Sequence, residues 1–192
     1  MGRRKSDRTR ESLLDAARIA FARKGFSGVT VRDITDLSRI NRASFYYYFT
    51  DKTELFIELG TATYREALHV VESFGDLDHS PTQSAIRGWV NDYFSYLDRN
   101  GAFVIRSADD APRDRKFRAA VTRAHGRTAL ALGERIAKLS AQPPEAEPIA
   151  LGLSVMAMLD RTWLMVQHNA IPSASRESVV LALSEMILRL LT

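Results

Sequence analysis

Cysteine is absent from the chain, which removes disulfide frameworks and thiol chemistry and permits a reducing compartment. Long apolar runs are missing too: the longest charge-free apolar run, Ile149–Leu159, is far too short to cross a bilayer. No membrane partner is expected from it. The N-terminus is charged through Arg10 with no apolar segment behind it, which argues against a secretory signal and for a cytoplasmic protein. Met1-Gly2-Arg3-Arg4-Lys5-Ser6 fits an N-myristoylation pattern, but so short a match arises often by chance. Histidine is sparse and scattered: His69, His79, His125 and His168 form no pair at helical metal-ligand spacing, and no glycine-rich phosphate loop occurs. The expectation is a protein with no metal, no cofactor and no catalytic constellation, hence not an enzyme.

Charge, by contrast, is plentiful and unevenly placed. Residues 1–52 hold twelve Lys/Arg against six Asp/Glu, whereas the remainder holds fifteen against seventeen. A basic head on a slightly acidic body suits a protein that meets a polyanion at one end, although a solvated face would give the same balance. At 192 residues and 45% hydrophobic content, the chain can bury one good core or two small ones.

Apolar spacing is helical throughout, and no strand-like alternation persists. Leu13, Ala17, Ala20 and Phe21 share one face of a first helix beginning near Ser6–Arg8, which Lys24-Gly25-Phe26 ends. Thr30, with Asp33 three residues on, caps a second helix whose Val31, Ile34 and Leu37 are expected inside. Ser38-Arg39-Ile40 makes the turn, and Asn41 caps a third helix. A fourth starts at Asp51, with Glu54 three residues on, and runs through Leu55, Phe56, Leu59, Ala67, Val70 and Phe74. At roughly 1.5 Å per residue it is long enough to join the head to the remainder of the chain. Ser80-Pro81 then caps a helix carrying Ile86, Trp89, Val90, Tyr93, Phe94 and Leu97, expected to end at Asn100-Gly101. A short helix near Phe103–Ala108, another over Arg113–Leu139, and two final ones over Ile149–Asn169 and Ser175–Leu191 complete an all-α chain of about nine helices. The last bears Val179, Val180, Leu183, Met186, Ile187, Leu190 and Leu191, a stripe wide enough to face more than one neighbour.

The segment 30–52 carries the chemistry. Two short helices joined by a tight turn also occur in bundles that never meet DNA, so the contents must decide. Arg42 stands on the first turn of the third helix and can reach guanine O6 and N7 together. Ala43 is small enough to let the backbone approach base edges or a thymine methyl. Ser44, Tyr46, Tyr47 and Tyr48 can give hydroxyls to phosphates, Thr30 and Arg32 lie at the start of the preceding helix, and Lys52 puts a cation at the start of the next. Phe45 and Phe49, four apart, are core positions. The three tyrosines point in different directions, and Tyr48 is the one suited to packing as well as contact.

These residues resemble the TetR family of bacterial one-component transcriptional regulators, over roughly residues 8–60. The resemblance lies in Leu13-Leu14 with Ala16-Ala17, Phe21, Lys24-Gly25-Phe26, Val29-Thr30-Val31-Arg32-Asp33-Ile34, and Phe45-Tyr46-Tyr47-Tyr48-Phe49 followed by Asp51, Lys52 and Glu54. Arg39 departs from it, standing at the turn where the family usually has Gly. If the backbone there is left-handed, Arg costs about 1 kcal/mol.

The resemblance implies a helix–turn–helix DNA-binding domain over 1–52 and a ligand-binding and dimerisation domain over 53–192, linked by the helix 51–75. It implies a homodimer joined through the last two helices, a pseudo-palindromic operator in double-stranded DNA, and a small hydrophobic effector whose occupancy the fourth helix transmits. Trp89, Tyr93, Leu97, Met156, Leu159 and Trp163 would supply an aromatic and Met lining, though each would serve equally as core. Asp160, beside Arg161 in an apolar helix, is either a buried pair within the subunit or the polar point that orients the effector. The segment Met158–Trp163 is faintly similar to actinobacterial regulators that bind elongated hydrophobic ligands. The competing reading is a helical protein-binding adaptor with a basic head and no specific DNA target.

Overall fold

The computed structural model describes residues 5–112, 115–142, 144–168 and 170–192. Residues 1–4, with most of the acylation-like motif, lie outside them, as do Arg113 and Asn169 at two expected helix ends. The fold is all-α, with α1 (Lys5–Gly28), α2 (Val31–Ser38), α3 (Arg42–Tyr48), α4 (Lys52–Ser73), a 3-10 turn (Phe74–Asp76), α5 (Gln83–Asp109), α6 (Arg115–Leu139), α7 (Pro148–Gln167) and α8 (Arg176–Leu191). No strand occurs among the described residues.

Two compact units make up the chain: a head of residues 1–63 with 102–121, and a body of 64–101 with 122–192. Helices α4, α5 and α6 each contribute to both. The head therefore extends past residue 52 and takes in a segment forty residues further on, for a reason its core makes plain. Leu13, Ala17 and Phe21 of α1, Ile34 of α2, Phe45 and Phe49, and Leu55, Phe56 and Leu59 of α4 are buried together with Phe103 of α5. The Phe56 ring meets Phe21 at 4.9 Å, Phe26 at 5.1 Å, Phe103 at 5.2 Å and Phe117 at 5.6 Å between centroids, mostly edge to face. Each such pair adds about 0.5–1.5 kcal/mol beyond the area it buries. Three short helices cannot surround Phe56 alone; the end of α5 and the start of α6 finish the job.

One position in α2 departs from expectation. Leu37 is 46% exposed, while Ile34 and Thr35 are buried. Successive helical residues turn by about 100°, so Val31, Ile34 and Thr35 form one arc and Leu37 falls on its solvent side.

Within the body, α5 begins one turn after the expected cap. Thr82, rather than Ser80, caps it, its hydroxyl accepting from the Ala85 N–H at 3.2 Å, and Pro81 is buried. The helix then runs unbroken to Asp109, so the stop expected at Asn100-Gly101 and the separate helix after it do not exist. Both residues are there for packing. Asn100 is fully buried, and its amide donates to Glu66 at 2.9 Å and to the Tyr96 carbonyl at 3.3 Å. Gly101 lies against the Trp163 indole, where an added Cβ would come within 2.5 Å of the ring.

Helix α7, with mean hydropathy 1.5, is by length and composition apolar enough to cross a membrane, once Asp160 and Arg161 are tolerated within its span. Its Gly152, Val155, Met156, Leu159 and Trp163 are buried in the body, and Ile149 and Leu153 are exposed. On α8, which Ser175 caps, Val180, Leu183, Ile187 and Leu191 are buried, whereas Leu181, Met186 and Leu190 are left in solvent.

Two glycines of α5 give a matched test of packing. Gly101→Ala should lower the unfolding free energy by about 1–3 kcal/mol through overpacking against Trp163. Gly88→Ala, with open space around it, should raise it by about 0.5–1 kcal/mol through helix propensity. Urea titrations of both variants read the two signs, and equal effects would contradict this account of Gly101.

Candidate nucleic-acid interface

Local hydrogen bonds fix the frame that presents α3. Gly25 takes a left-handed conformation (φ 72°), turning the chain out of the regular part of α1. Thr30 then closes a reciprocal cap: its hydroxyl accepts from the Asp33 N–H at 3.2 Å, and the Asp33 carboxylate accepts from the Thr30 N–H at 2.8 Å and hydroxyl at 2.6 Å. Lys24 Nζ donates to the other Asp33 oxygen at 2.5 Å. Lys24 first, then Thr30, hold the Asp33 carboxyl far below its ordinary 3.8. The turn closes at Arg39, whose φ of 57° and ψ of 30° are left-handed, with its N–H donating to the Thr35 carbonyl. Asn41 Oδ1 accepts from the Ser44 N–H at 2.8 Å and starts α3.

Helix α3 is anchored by two side chains and bare elsewhere. Phe45 and Phe49 are 0% and 1% exposed. Arg42 and Ala43 are exposed and Ser44 is half-buried. The Arg42 guanidinium donates to the Tyr46 hydroxyl at 3.1 Å and lies over that ring, which holds it above the helix's first two turns. Tyr47 is 81% exposed, the most open of the large apolar side chains described. Tyr48 packs against the head core and meets Tyr47 edge to face at 4.9 Å. On α2, Arg32 is exposed and paired loosely with Asp36 at 3.6 Å, and Thr30 is exposed with its hydroxyl committed to Asp33. One end of α3 thus offers a guanidinium, a methyl, a hydroxyl and two phenols on an immobile base.

Lys52, expected to place a cation at phosphates, is engaged within the head: its Nζ donates to the carbonyls of Phe26 and Val29, each at 2.8 Å, and rests over the Phe26 ring at 4.5 Å. These carbonyls lie where the chain leaves α1, and the ammonium ties that loop to the start of α4. A second tie went unread: Asp110 accepts from the Ser27 N–H at 3.1 Å and hydroxyl at 2.7 Å, which lowers its pKa. Eighty-three residues separate the partners, and no local pattern marks either.

The seven effector candidates lie in the body. Trp89, Tyr93, Leu97, Met156, Leu159 and Trp163 are each at most 5% exposed. Trp89 Nε1 donates to the Val70 carbonyl at 2.8 Å. Trp163 Nε1 donates to Asp98, which also receives Gln167 and Arg176. Tyr93 stacks near Trp89 and donates its hydroxyl to Asp160 at 3.0 Å, bringing the expected polar point onto the aromatic set. Arg161 is exposed and is not bonded to Asp160. A groove of about 450 Å³ elsewhere in the body is lined by Arg65, His69, Glu72, Asp76 and Arg135 among others, and by none of the seven.

A capped two-helix unit with a bare, basic second-helix N-terminus on an aromatic core has the form of a helix–turn–helix head. Residues 13–59 match the family described as bacterial regulatory proteins, tetR family. The chain is 33% identical over 99 residues to the HTH-type transcriptional repressor NicS of Pseudomonas putida, covering 52% of this chain and 46% of that protein. It is 36% identical over 78 residues to the probable acrEF/envCD operon repressor of Escherichia coli K12, covering 40% and 35% respectively. These alignments thus span less than half the length of each relative. In fold it is similar to the crystal structure of regulatory protein TetR from Rhodobacter sphaeroides, with a TM-score of 0.68 at 18% identity over 96% of this chain and 99% of that one. The likeness to that family rests on the head, and the fold of the longer chain is shared at low sequence identity.

The Asp33 cap makes head stability pH-dependent. Because the folded pKa is depressed, its contribution is full above the unfolded value of 3.8 and is lost as pH falls below it. Thermal melts from pH 5 to about pH 2 should show a steeper loss for the wild-type chain than for Asp33→Asn. Parallel curves would show that the cap carries no linkage.

Proposed function

We propose that the chain is a ligand-responsive DNA-binding transcriptional regulator, acting as a repressor that leaves its operator when a small effector binds. The observation that carries the reading is the bare amino end of α3 above the buried Phe45 and Phe49. Pushed into a major groove, that end brings Arg42 to guanine O6 and N7 and Ala43 to base edges. Ser44, Tyr46, Tyr47 and Tyr48, with Thr30 and Arg32 at the start of α2, serve phosphates and fix the register. Lys52 acts indirectly, holding the loop between α1 and α2. Arg39 adds a cation at the turn, which accounts for a bulky residue in a left-handed conformation. The site of action is the bacterial cytoplasm, where operators lie.

A second copy of the chain completes the reading. Ile149, Leu153, Leu181, Met186 and Leu190 leave apolar surface on the last two helices, and a homodimer through them would cover it. Two copies of α3 then enter successive grooves of a pseudo-palindrome about one helical turn, roughly 34–36 Å, apart. Effector and DNA compete through a coupling of about 1–3 kcal/mol. The effector enters the body among the aromatic and Met side chains named above.

Gel-shift and salt titrations on a candidate operator test the head. Affinity should fall by about 0.9 log units per log unit of salt for each phosphate contact. Arg42→Ala should cost about 1–3 kcal/mol on the operator and little on random duplex, without loss of thermal stability. Lys52→Ala should lower the melting temperature by leaving two carbonyls without their partner, at about 1–3 kcal/mol. Duplex binding that is indifferent to both salt and Arg42 would remove α3 from the interface. Sedimentation tests the pairing separately: Met186→Glu should shift a dimer toward monomer, and an unchanged dimer would place the contact elsewhere.

A further inference from the structure

We infer that the body contains a recess for an organic cation, a protonated amine on an apolar chain, built on Asp160, Tyr96 and Tyr93. The inference rests on reading the body as the effector-binding part, and it names the effector's chemical class. Asp160 lies on α7 one turn beyond the buried Met156, and it is itself mostly buried. Its partner is the Tyr93 hydroxyl on Oδ1 at 3.0 Å, and no Lys, Arg or His among the described residues forms an ion pair with it. Burial pushes its carboxyl above the ordinary value, with the Tyr93 hydrogen bond and His125 opposing. Interior carboxylates are ordinarily paired with a cation. This one keeps an oxygen uncommitted.

Tyr96 supplies the independent observation. Only 5% exposed, it packs edge to face on Tyr93 at 6.0 Å. Its hydroxyl has no hydrogen-bond partner among the described residues and lies in the fields of Asp160 and Glu66, which add to the effect of burial in raising its pKa. Among the described residues, neither the second Asp160 oxygen nor this hydroxyl is a fully sealed atom left without a partner. Glu66 is fixed nearby by the fully buried Asn100 at 2.9 Å and by Arg99 at 3.6 Å. Two carboxylates against one guanidinium give the recess a negative balance that repels a ligand carboxylate. An ammonium can donate to Asp160 Oδ2 and to the Tyr96 hydroxyl, and the tyrosine rings favour a cation and its alkyl chain together.

Calorimetric titration of the full chain with hexylammonium, hexan-1-ol and hexanoate tests the assignment, since the three share a chain and differ in charge. Hexylammonium should bind at least about tenfold tighter than the alcohol, with hexanoate weakest. Asp160→Asn keeps the shape and the acceptor for Tyr93 and should erase that preference. Tyr96→Phe should weaken the amine about threefold or more while leaving it ahead of the alcohol. Equal affinities, a preference for hexanoate, or an undiminished preference in Asp160→Asn would overturn the assignment. If Asp160→Asn does not fold, the wild-type series and Tyr96→Phe decide it. Duplex binding measured alongside separates the two readings. Amine binding through Asp160 with DNA affinity unmoved keeps the recess and refutes its role as the switch, whereas failure to bind duplex without any amine refutes the regulator and leaves the recess intact.

Discussion

Closure of the ring cluster around Phe56 is the constraint on which the head depends. Phe21, Phe26, Phe103 and Phe117 reach that side chain from α1, the loop after it, α5 and α6. Their edge-to-face contacts set the distances between those elements, because aromatic rings pack well at few separations. Phe45 and Phe49 extend the same core under α3. A seven-residue helix has little stability of its own, so α3 keeps its form because these two rings are seated. The exposed face above them is as well placed as the core beneath it.

Charged groups finish what the rings begin. Lys52 and Asp110 reach the loop between α1 and α2 from opposite directions of the chain, one donating to its carbonyls and the other accepting from Ser27. Lys24 and Thr30 converge on Asp33 at the start of α2. The loop that orients α2 and α3 is thus held by polar contacts at each end. The net positive charge of the first 52 residues consequently overstates what is free for a polyanion. Arg32, Arg39 and Arg42 stay at the surface, while Lys24 and Lys52 are engaged within the head.

In the body two carboxylates differ in their partners. Asp98 gathers Trp163, Gln167 and Arg176, joining α5 to α7 and to the start of α8. Among the described residues, Asp160 is bonded to one phenol and forms no ion pair. A carboxylate of the first kind stabilises packing; one of the second kind is what the proposed cation site rests on. Helices α4, α5 and α6 each contribute to both units, so the proposed effector response has continuous helical backbone through which to act.

Local patterns in the chain fixed a great deal. The Thr30–Asp33 cap, the Asn41 cap and the alternation of anchoring Phe with exposed Tyr are decided within a few residues, and each is legible because capping and helical spacing are short-range. Asn100-Gly101 misled for the same reason. As a local signal it ends a helix, but Glu66 and the Trp163 ring make both residues serve packing inside α5. Burial of Leu37 failed likewise, since helix phase decided it; the two distant carbonyls that hold Lys52 leave no local mark either. What the amino acids determined alone was the all-helical class and the chemistry offered by α3. Tertiary structure decided where the head ends, which cations are engaged and that Asp160 meets a phenol and no cation among the described residues, because each depends on residues brought together from far along the chain.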